Sequence, residues 1–398
     1  MKLTKNKGRN ITMKRKALAM LLCTAMAVSM AVGCGSSDSK SEDTAAPAET
    51  EEAADKDDAA EETGAAEAVD TAAATLDAID AASLPEGKWK IGFSNYSVGN
   101  SWRQQMEAEF ESEAEKLKEA GIISDYVMLN ADNDQSKQIS DINDLITMGC
   151  DAIVVTAITE DGLNDVLEEA EDEGIVVVNF DNNVSSDKIT SKIKVSDYDF
   201  GFSAGEWLGK QLEAGAKVIQ LDGTAGTSTD SNRSQGMIDG LKSTCPDAEI
   251  VANAKCGWDY ATAKSSVEDL LSTYSEIDGV LSQGGAMTQA AIDAFNSAGR
   301  DLVPMTGEGS NGFLRSWVEN KDKGFDSLAF ICPCSQSAAA LDVAVSALDG
   351  VTVEKEYLMS VDPVTSANLD QYYRDDLNDN YWVASRLNDE KLQELFGK

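Results

Sequence analysis

The stretch Lys90-Ile-Gly-Phe-Ser-Asn-Tyr-Ser-Val-Gly-Asn-Ser-Trp-Arg-Gln-Gln-Met106 decides how this chain is read. Its apolar run at 91–93 has the length and flanks of a buried strand. A polar, glycine-containing loop follows at 94–101. A helix then begins, with Met106, Phe110, Ala114 and Leu117 spaced to fill one face. In an open α/β sheet, ligands bind in the loops that leave the carboxyl ends of the strands. This loop carries Tyr96, Asn100, Trp102 and Arg103: two aromatic faces, an amide and a guanidinium. That set suits a small polar ligand with hydroxyl groups.

The rhythm continues outward from this stretch. Short apolar runs at 126–129, 151–156, 175–178 and 193–195 alternate with helical patterns. A second series begins with a helix over 200–212. Strands are expected at 217–221, 249–254, 279–282, 302–306 and 327–331, and helices after Gly223, Trp258 and Gly285 and over 337–348. The fold class is therefore α/β, with parallel sheets flanked by helices in two similar series. The carboxyl ends of these strands deliver Asp181, Asn182, Trp258, Gln283, Gly284 and Glu308.

Composition narrows the chemistry. The 398 residues carry a formal net charge of −37, which argues against nucleic acid as a partner. There is no histidine, so the commonest general base and the commonest metal ligand are both missing. No cofactor and no metal site are expected. Of seven cysteines, Cys150, Cys245, Cys256, Cys332 and Cys334 fall in the folded part without disulfide-framework spacing. They read mostly as small buried hydrophobes, and a Cys245–Cys256 bridge stays open.

The first 33 residues read as a signal peptide: a cationic start, then an apolar run at 17–32 shorter than a membrane span. The start codon is either Met1 or Met13. The sequence Ala31-Val-Gly-Cys34 resembles a bacterial lipobox, which implies acylation of Cys34 as the mature N-terminus. Residues 34–84 then form a Ser-, Ala-, Glu- and Asp-rich tether with too little apolar surface to fold.

Several segments also resemble the type 1 periplasmic sugar-binding proteins, the ribose-binding-protein-like branch. They are Asp132-Asn-Asp-Gln-Ser-Lys-Gln-Ile-Ser-Asp141 with Leu145-Ile-Thr-Met-Gly-Cys-Asp-Ala-Ile-Val154, then Gly223-Thr-Ala-Gly-Thr-Ser228 with Arg233 and Gly236, and Trp258-Asp259. The resemblance implies two Rossmann-like lobes joined by three crossings that close on ligand like a hinged clamp. The N-terminal lobe would comprise 88–196 plus 333–361, and the C-terminal lobe 197–332. Residues 362–398 would be the hinge return and tail.

Carried over by position, the ligand contacts would be Tyr96, Asn100, Trp102, Arg103, Asp181, Asn182, Arg233, Trp258, Gln283, Gly284 and Glu308, with Cys332 at the hinge. The chain departs from the family at Gly284-Gly285, where the pattern has Asn-Asp. It departs again at Glu308, which replaces an aspartate, and at Cys332, which replaces a glutamine.

Each of these residues has a plainer reading. Trp102 and Trp258 could be core aromatics, Arg103 a solvated first-turn residue, Asp181 a turn cap and Arg233 a structural ion-pair partner. Tyr381-Trp382 reads as packing, and Trp207 and Trp317 as core.

The resemblance implies a non-enzymatic, lipid-anchored, monomeric receptor on the outer face of the cell membrane, handing a small sugar to an ABC permease. The alternative output is a report to a membrane sensor kinase. A dinucleotide-binding enzyme would need Gly-x-Gly-x-x-Gly after the first strand, and Gly92 and Gly99 do not form it. Changing Asp181 or Arg233 to Ala is expected to abolish binding with the fold intact.

Overall fold

A computed structural model describes residue 87 and residues 89–398. The signal segment, the lipobox with Cys34 and the acidic tether all lie outside the described residues. The first sheet is built from β1 (Trp89–Asn95), β2 (Ile123–Asn130), β3 (Ala152–Val155), β4 (Val176–Phe180) and β5 (Ser191–Val195). Helices α1 (Ser101–Glu119), α2 (Gln135–Thr147) and α3 (Asn164–Asp172) lie between them. The second series runs α4 (Asp197–Gln211), β6 (Lys217–Asp222), α5 (Ser228–Thr244), β7 (Glu249–Lys255), α6 (Tyr260–Thr273), β8 (Gly279–Ser282) and α7 (Gly285–Ser297). It ends with β9 (Met305–Glu308), α8 (Asn311–Lys321) and β10 (Ser327–Phe330). The chain then adds α9 (Gln336–Leu348), β11 (Glu356–Met359), β12 (Pro363–Val364), α10 (Leu369–Tyr372) and α11 (Asp389–Phe396).

The two six-stranded sheets share one topology. The first has the order β11-β5-β4-β3-β1-β2 and the second β12-β10-β9-β8-β6-β7. All pairings are parallel except β10 with β12. The likeness reaches single residues. Asp151 Oδ2 accepts the Lys90 amide at 2.8 Å, and Asp278 Oδ2 accepts the Lys217 amide at 2.7 Å, at the same spacing along the chain. Each first strand also slips register near its start, between Trp89 and Lys90 in β1 and between Val218 and Ile219 in β6. Helix α4 packs on the second sheet and α9 on the first, so the chain crosses between sheets after β5, after β10 and after β11.

Local chemistry explains the elements. Asn100 Oδ1 accepts the Arg103 amide and caps α1, while Lys116 and Lys118 sit favourably in its last turn. The expected stripe Met106, Phe110, Ala114 and Leu117 is fully buried, with the Phe110 ring centroid 4.3 Å from that of Phe93 on β1. Asp134, Thr227 and Asp259 cap α2, α5 and α6 in the same way, so three of the strand-end loops turn directly into helices.

The structure differs from the sequence expectations in several places. The strand expected at 302–306 runs Met305–Glu308, because Pro304 has no amide to give and contributes only its carbonyl, to Val280. Strands β11 and β12 and helices α10 and α11 were not among the expected elements, although α11 carries Leu392, Leu395 and Phe396 at helical spacing behind an Asn388 cap. Trp317 is core, while Trp207 is only partly buried against its cluster. The five cysteines are free thiols; Cys245 and Cys256 belong to different hydrophobic clusters. Residues Tyr381, Val383, Leu387, Leu392 and Phe396 of the tail pack into the core of the second sheet, while Trp382 joins that of the first.

Candidate functional site

The carboxyl ends of both sheets meet at one cleft. Asn100, Trp102, Arg103, Asp181 and Asn182 line it from the first sheet; Thr229, Arg233, Trp258 and Glu308 line it from the second. Cys332 and Trp382 complete the wall. The cleft encloses about 360 Å³ of empty space, its open mouth included.

On the first sheet, Arg103 is a buried, oriented group rather than a solvated one. Its guanidinium lies 3.8 Å from the centre of the Tyr96 ring and donates to Asn95 Oδ1 at 3.2 Å and Asp181 Oδ2 at 2.9 Å. Thr156 Oγ1 also donates to Asp181. Asp181 holds φ 58°, a left-handed conformation uncommon for a residue with a side chain. Tyr96 does not line the cleft. Its hydroxyl accepts from Asn182 Nδ2 at 3.1 Å and its ring supports Arg103, so it acts behind the wall. Asn100 reaches the cleft, yet its Oδ1 is engaged as the cap of α1. Trp102 is both core and wall, with Nε1 donating to the Cys332 carbonyl at 3.0 Å.

On the second sheet, Arg233 is the hub. Nε donates to Asp197 Oδ1 at 2.8 Å, Nη1 to Glu308 Oε2 at 3.0 Å and to the Gln283 carbonyl at 2.9 Å, and the guanidinium stacks 4.1 Å over Phe200. Gln283 does not line the cleft. Its Nε2 donates to Asp222 and Asp230 and its Oε1 accepts from the Gly223 amide, which ties β6, β8 and α5 together. Strand-end position alone does not separate such a tie from a ligand contact.

Two features escaped the sequence. Asp197 and Thr229, bonded to each other at 3.3 Å, hold Arg233 in place. Trp382 arrives from the tail, with no strand before it to signal a site.

Trp258 explains the departure at position 284. Its indole lies across the backbones of Gly223 and Gly284; a Cβ at 284 would stand 2.7 Å from Trp258 Cδ1, and one at 223 would overlap the six-membered ring. Trp258 itself holds φ 56°, an outlier for so bulky a residue. Gly284→Asn, which restores the amide of the family pattern, should therefore displace the indole. Isothermal titration is expected to show at least a tenfold loss of affinity, and unchanged affinity would refute this account of Trp258.

Electrostatics make the site sensitive to pH. One guanidinium faces two buried carboxylates. Burial outweighs Arg233 and, helped by Asp181 and Asp197, raises Glu308 to about 7, while Asp197 is raised as well. A carboxyl raised on folding favours the folded state at low pH and loses that contribution as pH rises through its folded value. The contribution of Glu308 therefore falls between its ordinary 4.5 and about 7. Unfolding midpoints of Glu308→Gln should decline less steeply over that window than wild type. Asp342, buried and also raised to about 7, contributes to the slope that remains, together with Asp197, Glu107 and Glu109, which burial raises as well. Parallel profiles would contradict this assignment.

Two polar atoms of the wall residues are buried without a protein partner: Asn182 Oδ1, an acceptor, and Trp258 Nε1, a donor. Such atoms are uncommon and call for an explanation. Aromatic faces beside fixed charged forks and unpaired polar atoms are what an amphipathic, polyhydroxylated ring requires.

Residues 91–352 match the family described as periplasmic binding protein domain. The chain belongs to that family. It is 27% identical over 234 residues to the ribose import binding protein RbsB of Bacillus subtilis, covering 59% of this chain and 74% of that protein. It is 26% identical over 247 residues to the xylitol-binding protein of Mycolicibacterium smegmatis, covering 62% and 70%. Among solved structures, an ABC transporter solute binding protein from Thermobispora bispora superposes with a TM-score of 0.69 at 26% identity, over 77% of this chain and 94% of that one. The two-sheet architecture is the fold of the type 1 periplasmic sugar-binding proteins. Among the described residues, no helix is long and apolar enough to cross a membrane.

Proposed function

We propose that this protein is the extracytoplasmic solute-binding subunit of an ABC importer, a receptor and not an enzyme, that takes one monosaccharide or a related small polyol between its lobes. The cleft carries the reading. Trp102, Trp258 and Trp382 can cover the C–H faces of a sugar ring, while Arg103–Asp181 and Arg233–Glu308 offer directional donors and acceptors to its hydroxyls. Asn182 Oδ1 and Trp258 Nε1 would gain partners from the same ligand. A site that pairs each hydroxyl rejects analogues lacking one, because a buried group is left unpaired. The domain bounds proposed are 88–196 plus 333–361 for the first lobe and 197–332 for the second, with lipid on Cys34 and the tether holding a monomeric receptor at the membrane. The resemblance of the chain to sugar and polyol receptors supports the choice of ligand class.

A thermal-shift screen of pentoses, hexoses, furanose-favouring sugars and polyols against the purified protein tests the ligand class. At least one should raise the unfolding midpoint by several degrees; a flat response to all removes the sugar assignment. Co-purification of the membrane-anchored protein with permease subunits would support import, and recovery of a sensor kinase instead would overturn it.

A further inference from the structure

We infer that residues 379–387 form a latch that closes the clamp, with Trp382 as a ligand-contacting wall that helps decide which solutes the cleft accepts. The inference rests on the binding-protein reading and adds to it a site residue supplied by neither βα series. The match to the family model ends at residue 352, before this segment.

Its first-sheet seat is on α1. Gln105 takes both backbone groups of Trp382: Oε1 accepts the amide at 2.8 Å and Nε2 donates to the carbonyl at 2.9 Å. The indole Nε1 donates to Ser101 Oγ at 2.9 Å. One turn on, the buried Glu109 accepts from Ser385 Oγ and from the Arg386 amide. Gln105 and Glu109 are almost wholly buried, and their side chains find these partners in the tail. The α1 face is thus built to receive this segment.

Its second-sheet seat is the loop after β9. The Asn311 amide donates to the Tyr381 carbonyl at 2.7 Å, and the Val383 amide donates to the Gly309 carbonyl at 2.9 Å. Gly309 leaves room for Val383, whose Cγ2 would stand 2.5 Å from any added Cβ. Between the two seats, Ala384 adopts φ 63°, a conformation held only where the surroundings over-determine it.

Contacts to opposite lobes therefore alternate within six residues, and the indole between them lines the cleft. Lobes that rotate apart cannot both keep this segment. Seating the latch and closing the clamp are then one event, and a ligand that touches Trp382 favours both.

The test uses the full-length protein and the strongest stabiliser from the sugar screen. Trp382→Ala should weaken binding at least 30-fold, and Trp382→Phe should retain most of it. Gln105→Leu, which does not touch the cleft, should speed dissociation at least tenfold. Binding by Trp382→Ala and Gln105→Leu within threefold of wild type would overturn the latch. If Trp382→Ala does not fold, Gln105→Leu alone decides by its dissociation rate. A ligand-free arm separates this inference from the sugar assignment: hydrogen exchange at the Trp382 and Val383 amides should quicken together, at least tenfold, in Gln105→Leu. If no sugar stabilises wild type, the sugar assignment fails and the exchange result alone decides the latch; unchanged exchange at either amide overturns it.

Discussion

Arg233→Ala should abolish ligand binding and lower the unfolding midpoint by about 10 °C at pH 7.5. The side chain is 2% exposed and joins Asp197, Glu308 and the Gln283 carbonyl. Its removal leaves two buried carboxylates without their counter-charge, and breaking a buried pair costs about 3–5 kcal/mol. The sequence reading expected this substitution to leave the fold untouched; the buried ion pairs place a stability cost on the same change. Proton uptake offers a diagnostic. Once unpaired, Asp197 and Glu308 hold protons more tightly, so the deficit should shrink as pH falls toward 5. Arg233→Lys should not recover binding, since a single ammonium cannot reproduce the fork that spans two carboxylates and a carbonyl. A midpoint within 2 °C of wild type at pH 7.5, or a deficit that does not change with pH, would show that Arg233 is not the hub described.

Gly240→Val should prevent folding or lower the midpoint by a comparable amount, although it lies two helical turns along α5 from Arg233 and does not line the cleft. Helices α4 and α5 pack backbone against backbone. A Cβ at Gly240 would overlap the Phe202 carbonyl, and one at Gly236 the Tyr198 carbonyl. Across the contact, Gly201 faces the Arg233 carbonyl and Gly205 the Met237 carbonyl with equal closeness. These obstacles are main chain, so no rotamer change relieves them. Replacing a helical glycine by a better helix former gains at most about 1 kcal/mol. Overpacking costs about 1–3 kcal/mol when side chains can yield, and here they cannot, so the net sign is destabilising. The consequence reaches the site. The approach of α4 to α5 brings Asp197 within 2.8 Å of Arg233, so spreading the helices would also loosen the guanidinium. Circular dichroism melting and ligand titration of any soluble fraction would measure both effects. A variant as stable as wild type would rule out the close packing.

The strands that form the centres of the two sheets were legible because each is a short apolar run buried on both faces, a pattern that depends on local composition. Asp181 and Trp258 were legible as candidates because polar or aromatic residues at strand ends have few other duties, whereas Arg233, within α5, was legible only through the family resemblance. The same logic overreached at Tyr96 and Gln283. Both lie at strand ends and are polar, yet each bonds a neighbouring protein group instead of facing the cleft. Nothing local distinguishes these outcomes. Strand β11 did not stand out because it is four residues long with every side chain at least partly exposed.

The sequence alone determined the α/β class, the duplicated strand–helix rhythm and the family, since these rest on periodicity and motifs contained within short windows. Tertiary structure alone decided which polar groups meet. Asp197 finds Arg233 across 36 residues, and Gln105 finds Trp382 across 277. It also showed why position 284 is glycine, since only the folded chain sets the Trp258 indole against that backbone. Hydrogen bonds and close packing act over a few ångströms of space, and a linear pattern carries no record of which distant residues will share it.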